Sequence, residues 1–169
     1  MRLARLMPHP ETSSPFVDEI EVQLDRDGLL LWLRYTVGGD PSAIAWPAPA
    51  SPGRADDLWR HTCFEVFVAT GDGYVEYNLS PSGRWASYRF DGPRMGMRAA
   101  DEVAAVLGMD GAFDQSALEA RIELPPGARR LGLSCVIEDR NGAFSYWALA
   151  HPSAKPDFHH PDSFLLELP

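Results

Sequence analysis

The sequence predicts an all-β protein, an antiparallel β-sandwich of about nine strands with at most one short helix. Short apolar and β-branched runs recur along the chain, and residues with turn chemistry separate them at intervals: Asp25 to Gly28, Thr70 to Gly73, Ser80 to Gly83 and Asp139 to Gly142. The length of 169 residues suits one domain with a two-layer core, spanning 1–169 with residues 1–15 as a flexible lead-in.

Residues 16–25 alternate, with a parity shift towards Gln23 and Leu24, and the turn ending at Gly28 leads into a partner run at 29–37; together they read as a hairpin. Residues 38–57 hold Pro41, Pro47, Pro49 and Pro52 around Trp46, a composition that cannot sustain regular pairing and reads as a long surface loop. Strands follow at 62–69, 74–80 and 84–91. Residues 99–107 carry apolar side chains at Ala100, Val103, Ala104 and Leu107, which fits a short helix or an irregular crossover. Strands resume at 117–124, 131–138 and 143–150, and the last is 164–168.

The informative block is residues 58–92. Alternation places Thr62, Phe64, Val66 and Val68 on one face and Cys63, Glu65, Phe67 and Ala69 on the other, and both faces look buried. An ionised carboxylate on such a face is costly unless hydrogen bonds, a counter-charge or a ligand answer it. Turn geometry sets the register around Glu65. A left-handed Gly83 sets Ser80 against Arg84, Asn78 against Ala86 and Glu76 against Tyr88, with Trp85 and Leu79 paired on the opposite face. The other turn sets Ala69 against Tyr74, and therefore Phe67 against Glu76 and Glu65 against Asn78. One surface thus gathers Glu65, Glu76, Asn78, Ser80, Arg84 and Tyr88. A carboxylate, an amide, a guanidinium and an aromatic on one sheet face are what a sugar requires, directional partners for hydroxyls beside a flat apolar surface.

The run Trp59-Arg60-His61-Thr62-Cys63-Phe64-Glu65-Val66-Phe67, with its Trp six residues ahead of the Glu, resembles the signature of DOMON-like domains. These share a jelly-roll type sandwich with family-nine carbohydrate-binding modules. Residues 74–92 and 146–161 resemble a bacterial subgroup of the same family, and the likeness spans 16–169. It implies a non-catalytic domain binding a sugar or sugar derivative, with Trp59 stacking on the ring and Glu65 bonding its hydroxyls. It also implies an Arg on a neighbouring strand, for which Arg84 and Arg89 compete; the register favours Arg84, since Arg89 sits on core parity unless a bulge intervenes. A second stacking Trp is implied too, with Trp147 and Trp46 as candidates. Ligand-binding candidates are therefore Trp59, Glu65, Asn78, Arg84, Tyr88, Arg89 and Trp147.

Charge narrows the partners. With 15 basic and 24 acidic residues the formal net charge is -9, which repels phosphate backbones and anionic lipid, so neither nucleic acid nor membrane is expected. The absence of a signal-like start and of a long apolar run makes cytoplasmic residence the default expectation. Cys63 and Cys135 lie in apolar runs and read as free buried thiols, with a disulfide between neighbouring strands as the alternative. A protein-interaction domain without a small ligand, for instance a homodimer, is the competing class.

Other chemistries find less in the residues. Some DOMON domains hold haem between a Met and a His or Lys, and here Met95 or Met97 with His151 or Lys155 would serve; no cofactor is otherwise expected. His151, Asp157, His159, His160 and Asp162 crowd a proline-stiffened loop without a recognised metal spacing, so no metal is assigned. That loop is expected to fold over one end of the sandwich, with Asp157 pairing Lys155 or an Arg, or to join the ligand pocket. No nucleophile elbow, phosphate loop or dinucleotide fingerprint appears, His61 and Cys63 are too far apart along a strand to pair, and nothing ties Glu65 and Glu76 to one substrate, so no catalysis is expected.

Overall fold

A computed structural model describes residues 1–168 of the chain. Thirteen strands form in order: β1 (Arg2–Pro8), β2 (Val17–Asp27), β3 (Leu30–Gly39), β4 (Gly53–Arg54), β5 (Cys63–Thr70), β6 (Gly73–Leu79), β7 (Arg84–Phe90), β8 (Arg98–Ala99), β9 (Ala104–Ala112), β10 (Gln115–Glu123), β11 (Arg130–Glu138), β12 (Phe144–Ala148) and β13 (Leu166–Glu167). Among the described residues the only helical segments are three single 3-10 turns.

The strands join in one continuous sheet, ordered β4-β7-β6-β5-β11-β12-β1-β2-β3-β10-β9, with β13 added to β11 and β8 to β7. Neighbours are antiparallel except β4 and β7. The sheet curls so that its two arms face each other across the core, a near-barrel in place of the expected nine-strand sandwich of separate sheets. The link is β1. Its residues Arg2 to Leu6 pair with β2, while Met7 and Pro8 cross to β12, so one strand belongs to both arms. Residues 1–15 are accordingly not a free lead-in: Ala4 and Leu6 are buried between exposed neighbours, a short alternation interrupted by Pro8 and Pro10. At the far ends, Ala100 N–H donates to the Ser87 carbonyl (2.9 Å) and Ser87 Oγ to the Glu102 carbonyl (2.6 Å), which sews the chain before β9 to β7.

Nine strands correspond to the nine runs read from the sequence, and β1, β4, β8 and β9 are additional. Two-residue strands such as β4 and β8 are too short for any period to show. Residues 99–107, read as a short helix or an irregular crossover, hold no helix: they are the end of β8, an irregular link over 100–103 and the start of β9. Ala100 and Ala104 are buried, but Val103 and Leu107 are 43% and 49% exposed, so the helical spacing was not one face.

The register of the central block is as turn chemistry dictates: Glu65 faces Asn78, Phe67 faces Glu76, and Glu76 faces Tyr88. Gly83, at φ 94°, closes the β6–β7 turn. The core face carries Phe64, Val66, Val75, Tyr77 and Leu79 against Val22, Leu24, Leu33 and Tyr35 of the opposing arm. Burying each such side chain contributes about 1.5–3 kcal/mol. Tyr35 also donates its hydroxyl to the Glu65 carbonyl (2.9 Å), tying the arms together behind the acid. Cys63 and Cys135 are free and buried on opposite faces, since Cys135 pairs in register with Phe64 and Cys63 with Val136. No helix of the described residues is long and apolar enough to cross a membrane.

Candidate functional site

The other face of β5, β6, β7 and β11 is covered by the irregular chain after β12. A second apolar cluster forms there from Phe67, Tyr74, Ala86, Tyr88, Phe90, Val136, Ala148, Phe158 and Phe164. Phe164 lies over Gly132, where a Cβ would stand 2.7 Å from its ring, so glycine is what lets this segment approach the sheet. The cover is partial. Between it and the sheet lies a cavity of about 830 Å³.

Its floor is polar and buried. Glu65, Glu76 and Asn78 are 3%, 5% and 1% exposed and project from neighbouring strands. Glu65 receives one long hydrogen bond, from Ser134 Oγ at 3.4 Å. Burial pushes its carboxyl well above the ordinary range, and nearby Glu76 adds to the shift, against Ser134 and Arg94. Glu76 is raised to about 7, again by burial, with Asn78 and Arg94 pulling the other way. Asn78 lies close enough to favour ionised Glu76, yet its Nδ2 and Oδ1 both lack a partner at hydrogen-bonding geometry. A buried amide with neither atom satisfied is uncommon and costly.

The walls are aromatic: Tyr88, Phe90, Phe144, Tyr146 and Phe158, with Trp59 half exposed at the mouth. Tyr88 donates to Asp56 Oδ1 (2.5 Å), fixing its ring, and burial raises its hydroxyl pKa. His159 lies against Phe67, Tyr74 and Phe90, with Nδ1 2.6 Å from the Tyr74 hydroxyl and Nε2 3.7 Å from Glu76 Oε2. Burial, then Arg94, lowers its pKa to about 4, so the ring is neutral near pH 7. Tyr74 already accepts from Arg94 N–H (3.1 Å), so its own hydrogen is assigned to His159 Nδ1, leaving the ring hydrogen on Nε2 towards Glu76.

The basic residues stand at the rim. Arg60 lies over the Trp59 ring at 5.4 Å, Arg94 pairs with Asp157 at 3.2 Å, and Lys155 is exposed. Two rim positions hold backbone that non-glycine residues seldom adopt: Asp57, which begins the 3-10 turn Leu58–Arg60 carrying Trp59, at φ 60°, and Arg94 at φ 57°. Such conformations cost about 1–3 kcal/mol and persist where surrounding contacts impose them.

Of the residues singled out in the sequence, Trp59, Glu65, Asn78 and Tyr88 line this cavity and Arg84, Arg89 and Trp147 do not. Arg84 has the right parity but begins β7, beside Gly53 and beyond the floor. Arg89 faces the other way, opposite Val75 with no bulge, and pairs with Glu102 at 2.6 Å. Trp147 lies in the inter-arm core, 3% exposed, donating to Ser145 Oγ. Trp46 packs on that core and donates to the Pro41 carbonyl. The guanidinium groups at the cavity are those of Arg60 and Arg94, and the second aromatic wall comes from Phe144, Tyr146 and Phe158. The loop after β12 does join the pocket, and Asp157 does pair with an Arg. Of the haem-ligand candidates, Met97 and Lys155 line the cavity, while His151 Nε2 lies 2.7 Å from the Met7 carbonyl. Among the described residues no cluster of three metal-ligating side chains forms.

The chain matches no protein-family model and no curated protein. Its fold is similar to a crystal structure described as that of a putative carbohydrate-binding protein from Bacteroides uniformis, at 16% sequence identity and a TM-score of 0.62 over 97% of this chain and 84% of that one.

Proposed function

We propose that this chain is a non-catalytic binding protein for a carbohydrate or sugar derivative, related in fold to the DOMON-like domains and holding its ligand in the cavity over β5, β6 and β7. The observation that carries the reading is Asn78, whose buried amide offers a donor and an acceptor that no group meets at hydrogen-bonding geometry. A ring hydroxyl supplies both. Glu65 and Glu76 extend the polar floor, Tyr88 and Phe90 give flat apolar surface, and Trp59, half exposed at the mouth with Arg60 over its ring, is placed to stack. The volume lies in the range of small-molecule pockets, about 300–1,000 Å³. The fold likeness to a protein described as a putative carbohydrate-binding protein agrees with this reading. Hydrolysis by paired carboxylates needs one of them ionised at little cost, whereas burial raises both Glu65 and Glu76.

The test is a thermal-shift panel of monosaccharides, sugar derivatives and short oligosaccharides against wild type and Trp59→Ala. A ligand at a hundred times its Kd stabilises the fold by about 2.7 kcal/mol. Trp59 is 50% exposed, so the variant should fold normally and lose about 2 kcal/mol or more of binding. No shift with any sugar, or an equal shift in the variant, overturns the proposal.

A further inference from the structure

The floor of the cavity lacks a positive charge. Two carboxyl groups and an amide oxygen converge there, and none is within ion-pairing distance of a Lys or Arg among the described residues. The basic groups that line the cavity are all in exposed rim positions, and Arg94 is already engaged with Asp157. Among the described residues the one ionisable side-chain nitrogen within ion-pairing distance of a floor carboxylate is His159 Nε2, 3.7 Å from Glu76, and hydrogen bonding of its other nitrogen to Tyr74 within an aromatic setting suits the neutral ring. Buried carboxylates need a counter-charge or a proton, and the walls around them are ring faces, which attract cations. Acid is thus segregated to the depth of the cavity and base to its mouth.

We infer that the floor is a cation site: the ligand carries a protonated amine that lodges between Glu65, Glu76 and Asn78 Oδ1, so the sugar class is the amino sugars. This rests on the sugar reading above and specifies its ligand. An ammonium group donates three hydrogen bonds and accepts none, and the floor offers it two carboxylates and the unpartnered amide oxygen. A neutral hydroxyl would satisfy Asn78 equally well but would leave the two acids facing each other. The groups around Glu76 bear on its proton: burial opposes its charge, Asn78 and Arg94 favour it, and His159 is neutral beside it, while a charge on Glu76 in turn raises Glu65, Tyr74, Tyr88 and Cys63, which face it. Arrival of an amine therefore ionises Glu76 and expels the proton it carries below about pH 7.

Isothermal titration of the full chain with glucosamine, galactosamine and mannosamine, each against its N-acetyl derivative and its parent hexose, tests this, with ethanolamine as a protonated primary amine that has no sugar. At least one amino sugar should bind tenfold or more tighter than both counterparts, about 1.4 kcal/mol. Titrations in buffers of different ionisation enthalpy, run just below neutral pH, should show proton release. Glu76→Gln, which keeps the side-chain shape and removes the charge, should fold with an unchanged melting temperature or a higher one, and should cut the ratio of amino-sugar to parent-hexose affinity below threefold and abolish the proton release; a ratio unchanged from wild type overturns the cation site. Equal or tighter binding of the N-acetyl or neutral sugar overturns the cation site and leaves the sugar reading standing. Binding of ethanolamine and of none of the sugars supports the cation site and removes the sugar reading. Binding by none of the probes overturns both.

Discussion

Replacing Asn78 by Leu should make the protein more stable and less able to bind. Asn78 is 1% exposed in the middle of β6, opposite Glu65 on one side and Ala86 on the other, with neither amide atom hydrogen-bonded. Leaving a buried polar group unpaired costs about 1–3 kcal/mol. Leu has the same branched heavy-atom skeleton, its larger methyl groups project into the open cavity, and it adds no unmet donor or acceptor, so the ligand-free variant should gain about 1–3 kcal/mol. For a chain of 169 residues, 1 kcal/mol moves the melting temperature by about 2–4 °C, so the rise is roughly 2–12 °C. Urea unfolding followed by circular dichroism measures it, with an unchanged m-value showing that the unfolded state is not what moved. The same variant should lose the stabilisation that wild type gains from ligand. A variant less stable than wild type by 1 kcal/mol or more would refute the reasoning, because Asn78 would then be serving the fold and not a guest.

Other perturbations bear on the floor and its surroundings. Glu76 is raised to about 7, so the native state holds its proton between the ordinary carboxyl pKa and 7 while the unfolded chain does not; stability from this group is full at acid pH and falls as pH rises to 7. His159 is lowered to about 4, so between pH 4 and its ordinary value the unfolded chain binds the extra proton and stability rises with pH. The two slopes oppose, each at most about 1.4 kcal/mol per pH unit. Over pH 4.5–6.5, urea titrations should therefore show a slope more positive than wild type in Glu76→Gln and more negative in His159→Asn; identical slopes in all three would discard the assigned shifts. Gly73→Ala places a Cβ 2.0 Å from the Phe90 carbonyl oxygen at φ 138°, and should cost about 3 kcal/mol or more, whereas Gly71→Ala, with open space around it, should stay within about 0.5 kcal/mol. Comparable costs at the two glycines would contradict the β6–β7 geometry. Burial also raises both thiols well above their usual pKa, so Cys63 and Cys135 should react with a thiol reagent only in denaturant. Rapid modification of the native protein would argue against that burial.

The floor was legible in the sequence because regular strands have period two. Once Gly83 and the Thr70 to Gly73 turn set the pairing, Glu65, Asn78, Glu76 and Tyr88 had to share a face, and the structure has them there. Parity says which face a residue takes but not how far along the strand a pocket extends, which is why Arg84 was placed at the site and lies beyond it. Trp147 illustrates another limit. Its strand neighbours gave no sign of which face was core, since β12 is flanked by β1, a strand hidden by Pro8 and Pro10. Had β1 been seen, the two arms could have been joined and the near-barrel anticipated.

The rim was illegible for a different reason. Arg60, Arg94, Phe158 and His159 reach the cavity on segments with no period, placed by single events: left-handed Asp57 and Arg94, the Gly132 gap under Phe164, and the Arg94 pair with Asp157. The one signal available was the crowding of His, Asp and Lys between 151 and 162, which read equally well as a surface loop. This division has a functional side. A floor built on three hydrogen-bonded strands cannot move without breaking the sheet, so it fixes geometry for a ligand. At the rim the exposed Arg94–Asp157 pair contributes about 0–1 kcal/mol, whereas Phe158 and His159 are anchored among Phe67, Tyr74, Phe90 and Tyr146. A ligand can therefore be accommodated by side-chain adjustment at the exposed mouth, beside Trp59, Arg60 and Arg94, while Glu65, Glu76 and Asn78 stay in register.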